Sequence, residues 1–273
     1  MKTIAASLAR DNVVGERIML PWDALNRKLR LHTRELAIVS GAPAAGKSVF
    51  ALNLAMSEEL KDQPVLYLAQ DSVPSVLGRL AALATNEPID HTMDRLRNPD
   101  RKPELLEELQ DVRPNLFIHG GALQFEDIQL RVEALSELYG RSPVLVILDN
   151  LIDTIVPGTH HQETGFYATI LNQLKQLAQN ADTCIVALHH VTRRGGNDGN
   201  SPHGLGTRAL KMTDLLHGGE REAEHVLGVY HSVAQDRIYV QILKQRDGVA
   251  DPEGGVYTPL VWQPPMGRLE RRG

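Results

Sequence analysis

Cysteine is almost missing from this 273-residue chain: Cys184 stands alone, inside an apolar run. A single thiol excludes a disulfide framework and a cysteine-rich zinc site, and its apolar neighbours mark it as a reduced core residue. Aromatic residues are scarce, at 4%, which argues against a binding platform built on base stacking. Nowhere do eighteen apolar residues run together, and the N-terminus carries no apolar stretch long enough for a signal peptide. A soluble, cytoplasmic chain with no membrane partner is therefore expected. A positive field is missing as well. With a net charge of −5, any contact with nucleic acid must come from local loops. No repeat, low-complexity tract or linker divides the sequence. What remains is 42% hydrophobic, ample for a buried core in one large α/β domain or two small ones.

One stretch organises the rest. The apolar run from Leu36 to Val39 reads as a buried strand and enters Gly41-Ala42-Pro43-Ala44-Ala45-Gly46-Lys47-Ser48. The chain leaves this segment into a helix with apolar positions at Val49, Leu52, Leu54 and Ala55. Gly-x-x-x-x-Gly-Lys-Ser between a strand and a helix is a phosphate loop. Its glycines allow a tight turn whose backbone N–H groups surround a phosphate chain at the positive end of the helix dipole. Residues 41–49 are thus expected to hold ATP. Lys47 would reach the terminal phosphates, and the Ser48 hydroxyl would take one Mg²⁺ position.

Further apolar runs alternate with amphipathic segments. Pro64–Ala69, Asn115–His119, Pro143–Asp149 and Thr183–His190 read as strands, and the unbroken run at 143–149 suits a central parallel strand covered on both faces. Helices are expected at about 21–34, 74–84, 125–139 and 164–180, with short helices in the polar 86–114 region. Such alternation specifies an α/β fold with a mostly parallel sheet flanked by helices. The runs at 226–230, 238–243 and 257–262 alternate like a meander and predict an antiparallel extension at the C-terminal end. Residues 1–19 read as a short helix or arm preceding a core of 20–273.

A phosphate loop needs an acid at a nearby strand end to hold Mg²⁺ through water, and Asp149 caps the 144–148 run. Hydrolysis needs a group that orients the attacking water. Asp71 ends the neighbouring strand and is the candidate, although Asp71 and Ser72 also precede a helix as an N-cap would. His190 ends another strand at the same sheet edge, placed to donate to the γ-phosphate. His189 and His190 point to opposite faces, so they do not share a metal. The long glycine-rich loop that follows carries Arg193, Arg194, His203 and Arg208, with Lys211 just beyond, and suits DNA phosphates. A second candidate DNA loop, 157–163, contains no Lys or Arg. Lys244 and Arg246 end a late strand, where charged residues are ordinarily just solvated.

In this order and at this spacing, the phosphate loop, Tyr67-Leu68 leading to Asp71, Ile147-Leu148-Asp149, His189-His190 with Arg193, Thr213-Asp214-Leu215 and Lys244-Gln245-Arg246-Asp247-Gly248 resemble the RecA-like motor core of the DnaB-like hexameric helicases. The resemblance covers about residues 20–270 and is nearest to the free-standing RepA-type helicases of plasmids and phages. It implies an ATP-dependent helicase acting on single-stranded or forked DNA as a homohexamer. It further implies that Lys244 and Arg246 reach in trans to a neighbour's γ-phosphate, that Asp71 stands where the family has a catalytic glutamate, and that His190 stands where it has a glutamine sensor. Two other readings remain: a recombination or repair ATPase, with a nuclease activity the weakest form of it, and a small-molecule kinase sharing the same phosphate loop.

Overall fold

The structure is a computed structural model that describes residues 15–69, 72–121, 124–151, 166–191, 208–215 and 221–270. Its backbone is a nine-stranded sheet. In chain order the elements are β1 (Arg17–Ile18), α1 (Asp23–Asn26), β2 (Leu31–His32), β3 (Leu36–Gly41), α2 (Lys47–Ala55), β4 (Val65–Ala69), α3 (Val73–Thr85), α4 (Ile89–Arg97), α5 (Lys102–Val112), β5 (Leu116–Gly120), α6 (Phe125–Tyr139) and β6 (Leu145–Asp149). There follow α7 (Phe166–Asn180), β7 (Cys184–His190), β8 (His225–Ser232), β9 (Arg237–Lys244), β10 (Tyr257–Gln263) and β11 (Arg268–Leu269).

The large sheet runs β11-β10-β9-β8-β3-β7-β6-β4-β5, and every pairing from β8 to β5 is parallel. Parallel strands bury both faces, which explains why their sequences are continuously apolar rather than alternating. Because side chains alternate across a strand, the two faces still make separate cores. Ala37, Val39, Tyr67 and Ile147 face one core with Phe50 of α2 and Leu80 of α3. Leu36, Ile38, Leu68 and Leu148 face the other, with Val132 of α6 and Leu174 of α7. Cys184 is fully buried, and burial pushes its thiol out of the reactive range.

The expected α/β architecture is present, with two corrections. The antiparallel extension begins one strand later than expected, because β8 pairs in parallel with β3 and only β9, β10 and β11 run antiparallel. The helix expected over 21–34 shrinks to the four residues of α1. The side chain of Asn26 turns back to the backbone of Leu20, accepting from its N–H at 3.1 Å and donating to its carbonyl at 2.8 Å. The chain then extends so that Leu31 pairs with Ile18 and His32 with Arg17. Of the expected N-terminal arm, residues 1–14 lie outside the described residues. Ile18 is in the core, beside Trp22, which stacks on Phe50 at 4.9 Å.

Ile147 lies fully buried at the centre of β6. Ile147→Ala should cost about 2–5 kcal/mol of stability, through lost transfer energy and the cavity left behind. Chemical denaturation measured with and without the substitution checks this.

Candidate functional site

The phosphate loop joins β3 to α2. Gly46 caps the helix with φ of 101°, a left-handed conformation, and a Cβ there would lie 2.6 Å from Ile238 Cδ1. A Cβ on Gly41 would meet the Val229 carbonyl at 2.8 Å. Strands β8 and β9 therefore demand both glycines by close packing. With both in place, the first turn of α2 turns its unpaired N–H groups toward the loop.

Lys47 is buried, with 6% of its surface exposed, and its Nζ donates to the carbonyls of Gly41 and Ala42, each at 2.9 Å. Burial pushes its pKa down to about 8, against the opposing pull of Asp149. His190 Nδ1 lies 3.4 Å from the same ammonium, and His190 is held below its ordinary value by burial and then by Lys47. A charged Lys47 can only donate, so Nδ1 accepts and the imidazole proton resides on Nε2. That nitrogen lies 3.3 Å from the side-chain amide of Asn150. His190 thus bridges Lys47 and Asn150. His189, on the opposite face, is fully buried with its ring 5.1 Å from that of Tyr167.

Asp149 ends β6, and one of its carboxylate oxygens accepts the Tyr67 hydroxyl at 2.6 Å. Tyr67 is wholly buried on the neighbouring strand β4. Sequence reasoning passed over this tyrosine. The available signal was a phenol inside an otherwise apolar strand, since a buried hydroxyl needs a partner. A cleft of about 320 Å³ opens beside Ser48 and Val49 and is lined by Leu83, Ile89, His231, Ile238, Trp262 and Pro264. The rings of His231 and Trp262 meet edge to face at 5.9 Å. No motif announced this cleft, because its walls come from strands distant in the chain.

The strands therefore gather the phosphate loop, Asp149 and His190 at one edge of the sheet. They do not bring Lys244 or Arg246 there. β9 runs antiparallel to β8, so Lys244 pairs with Val226 at the start of β8, level with the start of β3. From Ala37 to Gly41 the strand rises ~13 Å, and the two cations lie at its far end. Lys244 Nζ donates to the carbonyls of Ala223 at 2.7 Å and Arg221 at 3.3 Å, and Arg246 Nη2 donates to Glu224 Oε1 at 2.8 Å. Of the expected DNA contacts, Arg208 is paired with Asp214 at 3.2 Å and Lys211 with Glu253 at 2.6 Å. Asp71, Arg193, Arg194, His203 and the 157–163 loop lie outside the described residues. No group of three or more His, Cys, Asp or Glu able to hold a metal occurs among the described residues.

The fold and site define a P-loop nucleotide-binding protein on a RecA-like sheet. A family model described as an AAA domain matches residues 25–196, more than half of the chain, and the chain belongs to that family. It is 23% identical over 266 residues to the Gene 65 protein of Mycobacterium phage L5, covering 95% of each chain. It is 28% identical over 247 residues to the replicative DNA helicase DnaB of Pasteurella multocida, a match spanning 83% of this chain and 50% of that one. Among solved structures it is similar to a free-standing ATPase domain, with a TM-score of 0.75, 18% identity and 98% of both chains covered. It is also similar to a DnaB-like replicative helicase solved in a study of its interactions with primase, with a TM-score of 0.72, 18% identity, and 98% of this chain and 67% of that one covered. The expected RecA-like fold and the likeness to DnaB-like helicases are both borne out.

The titration of Lys47 gives a pH prediction. Phosphate oxygens favour the ammonium form, whereas the free site loses that proton near pH 8. Nucleotide affinity should fall about tenfold between pH 7 and pH 9 through this one proton. Lys47→Arg, which does not titrate in this range, should flatten the profile in equilibrium binding of a fluorescent ATP analogue.

Proposed function

We propose that this chain is the motor of a DnaB-like replicative helicase, which hydrolyses ATP to move along single-stranded DNA and part the duplex. Its helicase relatives in sequence and its RecA-like fold support the chemistry. The observation that carries the oligomeric reading is the placement of Lys244 and Arg246. They sit at the sheet edge opposite the phosphate loop, where they cannot reach their own nucleotide and can reach a neighbour's. Head-to-tail contact of this kind closes into a ring, and six subunits is the number the family resemblance implies. The cytoplasm is the compartment such a role requires.

The residues act as follows. Backbone N–H groups of the loop hold the phosphates, and Lys47 exchanges the carbonyls of Gly41 and Ala42 for the terminal phosphate oxygens. Ser48 and Asp149 supply one hydroxyl and one carboxylate, a donor set that suits Mg²⁺ completed by phosphate oxygens and water. The ion would neutralise charge on the β- and γ-phosphates when bound. Tyr67 holds Asp149 in one orientation. His190, in contact with Lys47, registers whether that ammonium is engaged by phosphate and passes the change to the arginine-bearing loop that follows it. Asp71 orients the attacking water, and Arg193, Arg194, His203, Arg208 and Lys211 contact the DNA backbone. Arg208 and Lys211 exchange their present carboxylate partners for phosphates to do so. The base and ribose enter the cleft lined by Trp262.

ATP turnover measured with and without single-stranded DNA tests the reading: strong stimulation is expected, and none would overturn it in favour of a metabolite kinase. Arg246→Ala should bind nucleotide normally while losing most of its turnover, and full turnover in that variant would refute the trans assignment. Trp262→Ala should weaken ATP binding about three- to tenfold through lost aromatic contact, while leaving affinity for inorganic tripolyphosphate unchanged in competition assays.

A further inference from the structure

At the sheet edge opposite the phosphate loop, one carboxylate gathers several partners. Glu224 is nearly fully buried, with 3% of its surface exposed. Its Oε2 accepts the Leu36 N–H at 3.0 Å, and its own N–H donates to the Leu36 carbonyl at 3.0 Å. Its Oε1 is shared by Lys175 of α7 at 2.7 Å and Arg246 at 2.8 Å. The same short segment holds the second cation, because Lys244 donates to the carbonyls of Ala223 and Arg221. A buried carboxylate persists only where its charge is paired and its lone pairs are used, and here the pairing group is a half-exposed arginine reaching out from the fold.

We propose that Glu224 is the positioning residue for Arg246: it clamps the guanidinium to the first residue of β3 and so sets the direction in which the side chain leaves the subunit. Arg246 is a long, flexible side chain on a turn, and an untethered guanidinium would sample many directions. Two-point attachment of Glu224 to Leu36 removes that freedom, since β3 is the central strand and is fully buried. Lys175, on the other side of the carboxylate, keeps Glu224 ionised and fixed when Arg246 turns toward phosphate. A displacement of a catalytic group by about 1 Å can cost on the order of 10²-fold in rate. The inference rests on the trans assignment of Arg246 and adds the group that aims it.

The experiment is complementation in mixed oligomers. Lys47→Ala removes hydrolysis from a subunit's own site and leaves its Arg246 intact. Glu224→Gln should leave ATP-analogue affinity unchanged, showing an intact phosphate loop, while lowering kcat about ten- to a hundredfold with little change in KM. Glu224→Asp, which keeps the charge and draws it back by one methylene, should lie between it and the wild type. Mixing the inactive Lys47→Ala protein with Glu224→Gln should restore turnover, because some Glu224→Gln sites now face an intact Arg246. With equal, random mixing, about a quarter of the interfaces become competent. Arg246→Ala mixed with Lys47→Ala is the reference. If Arg246→Ala is rescued and Glu224→Gln is not, Glu224 serves the fold of its own subunit and the positioning role is overturned. Wild-type turnover of Glu224→Gln alone also overturns it. If Arg246→Ala itself is not rescued, the trans assignment falls and the positioning role falls with it.

Discussion

A buried ammonium at the junction of β3 and α2 sets the requirements for everything around it. With no nucleotide, Lys47 is satisfied by two carbonyls of its own loop, and it tolerates burial at the cost of a pKa near 8. Those carbonyls belong to Gly41 and Ala42, so the loop must keep its curvature, and that curvature depends on glycine at 41 and 46 because β8 and β9 press against it. The site is therefore only as well formed as the sheet beneath it. Strand order places Asp149, His190 and the phosphate loop side by side at the carboxyl edge, the usual location of ligands in open α/β sheets.

The sheet has a second edge with a chemistry of its own. Because β9 reverses direction after β8, the cations that end β9 are carried away from the phosphate loop rather than toward it. Parallel strands put one kind of residue at one edge, and a single antiparallel turn puts another at the opposite edge. A molecule with its nucleotide on one side and basic groups on the other is suited to head-to-tail assembly, in which each subunit completes its neighbour's site. Glu224 ties the two edges together mechanically: it is anchored on the strand whose far end becomes the phosphate loop.

Much of this was legible before any coordinates. The Gly-x-x-x-x-Gly-Lys-Ser spacing identified the loop because backbone geometry and phosphate chemistry require those residue types locally. Long amphipathic segments such as 125–139 were readable because a helix imposes its own period on the sequence. The short helix at Asp23–Asn26 was misjudged, since a mixed pattern of apolar residues served a strand pair and a buried loop instead. The direction of β8 was likewise hidden. Its sequence suits a strand of either sense, and only its pairing with β3 makes it parallel.

By itself, then, the sequence determined the nucleotide-binding loop, the alternation of strands and helices, and the acid and histidine that end β6 and β7, all of which depend on neighbours within a few residues. Tertiary structure alone decided which of those ends meet, that Tyr67 holds Asp149, that Trp262 and His231 wall the cleft, and that Lys244 and Arg246 face away under the hold of 221–224. These depend on pairings between residues far apart in the chain, such as Leu36 with Glu224, and strand order and direction are settled only when the whole hydrophobic surface is buried at once.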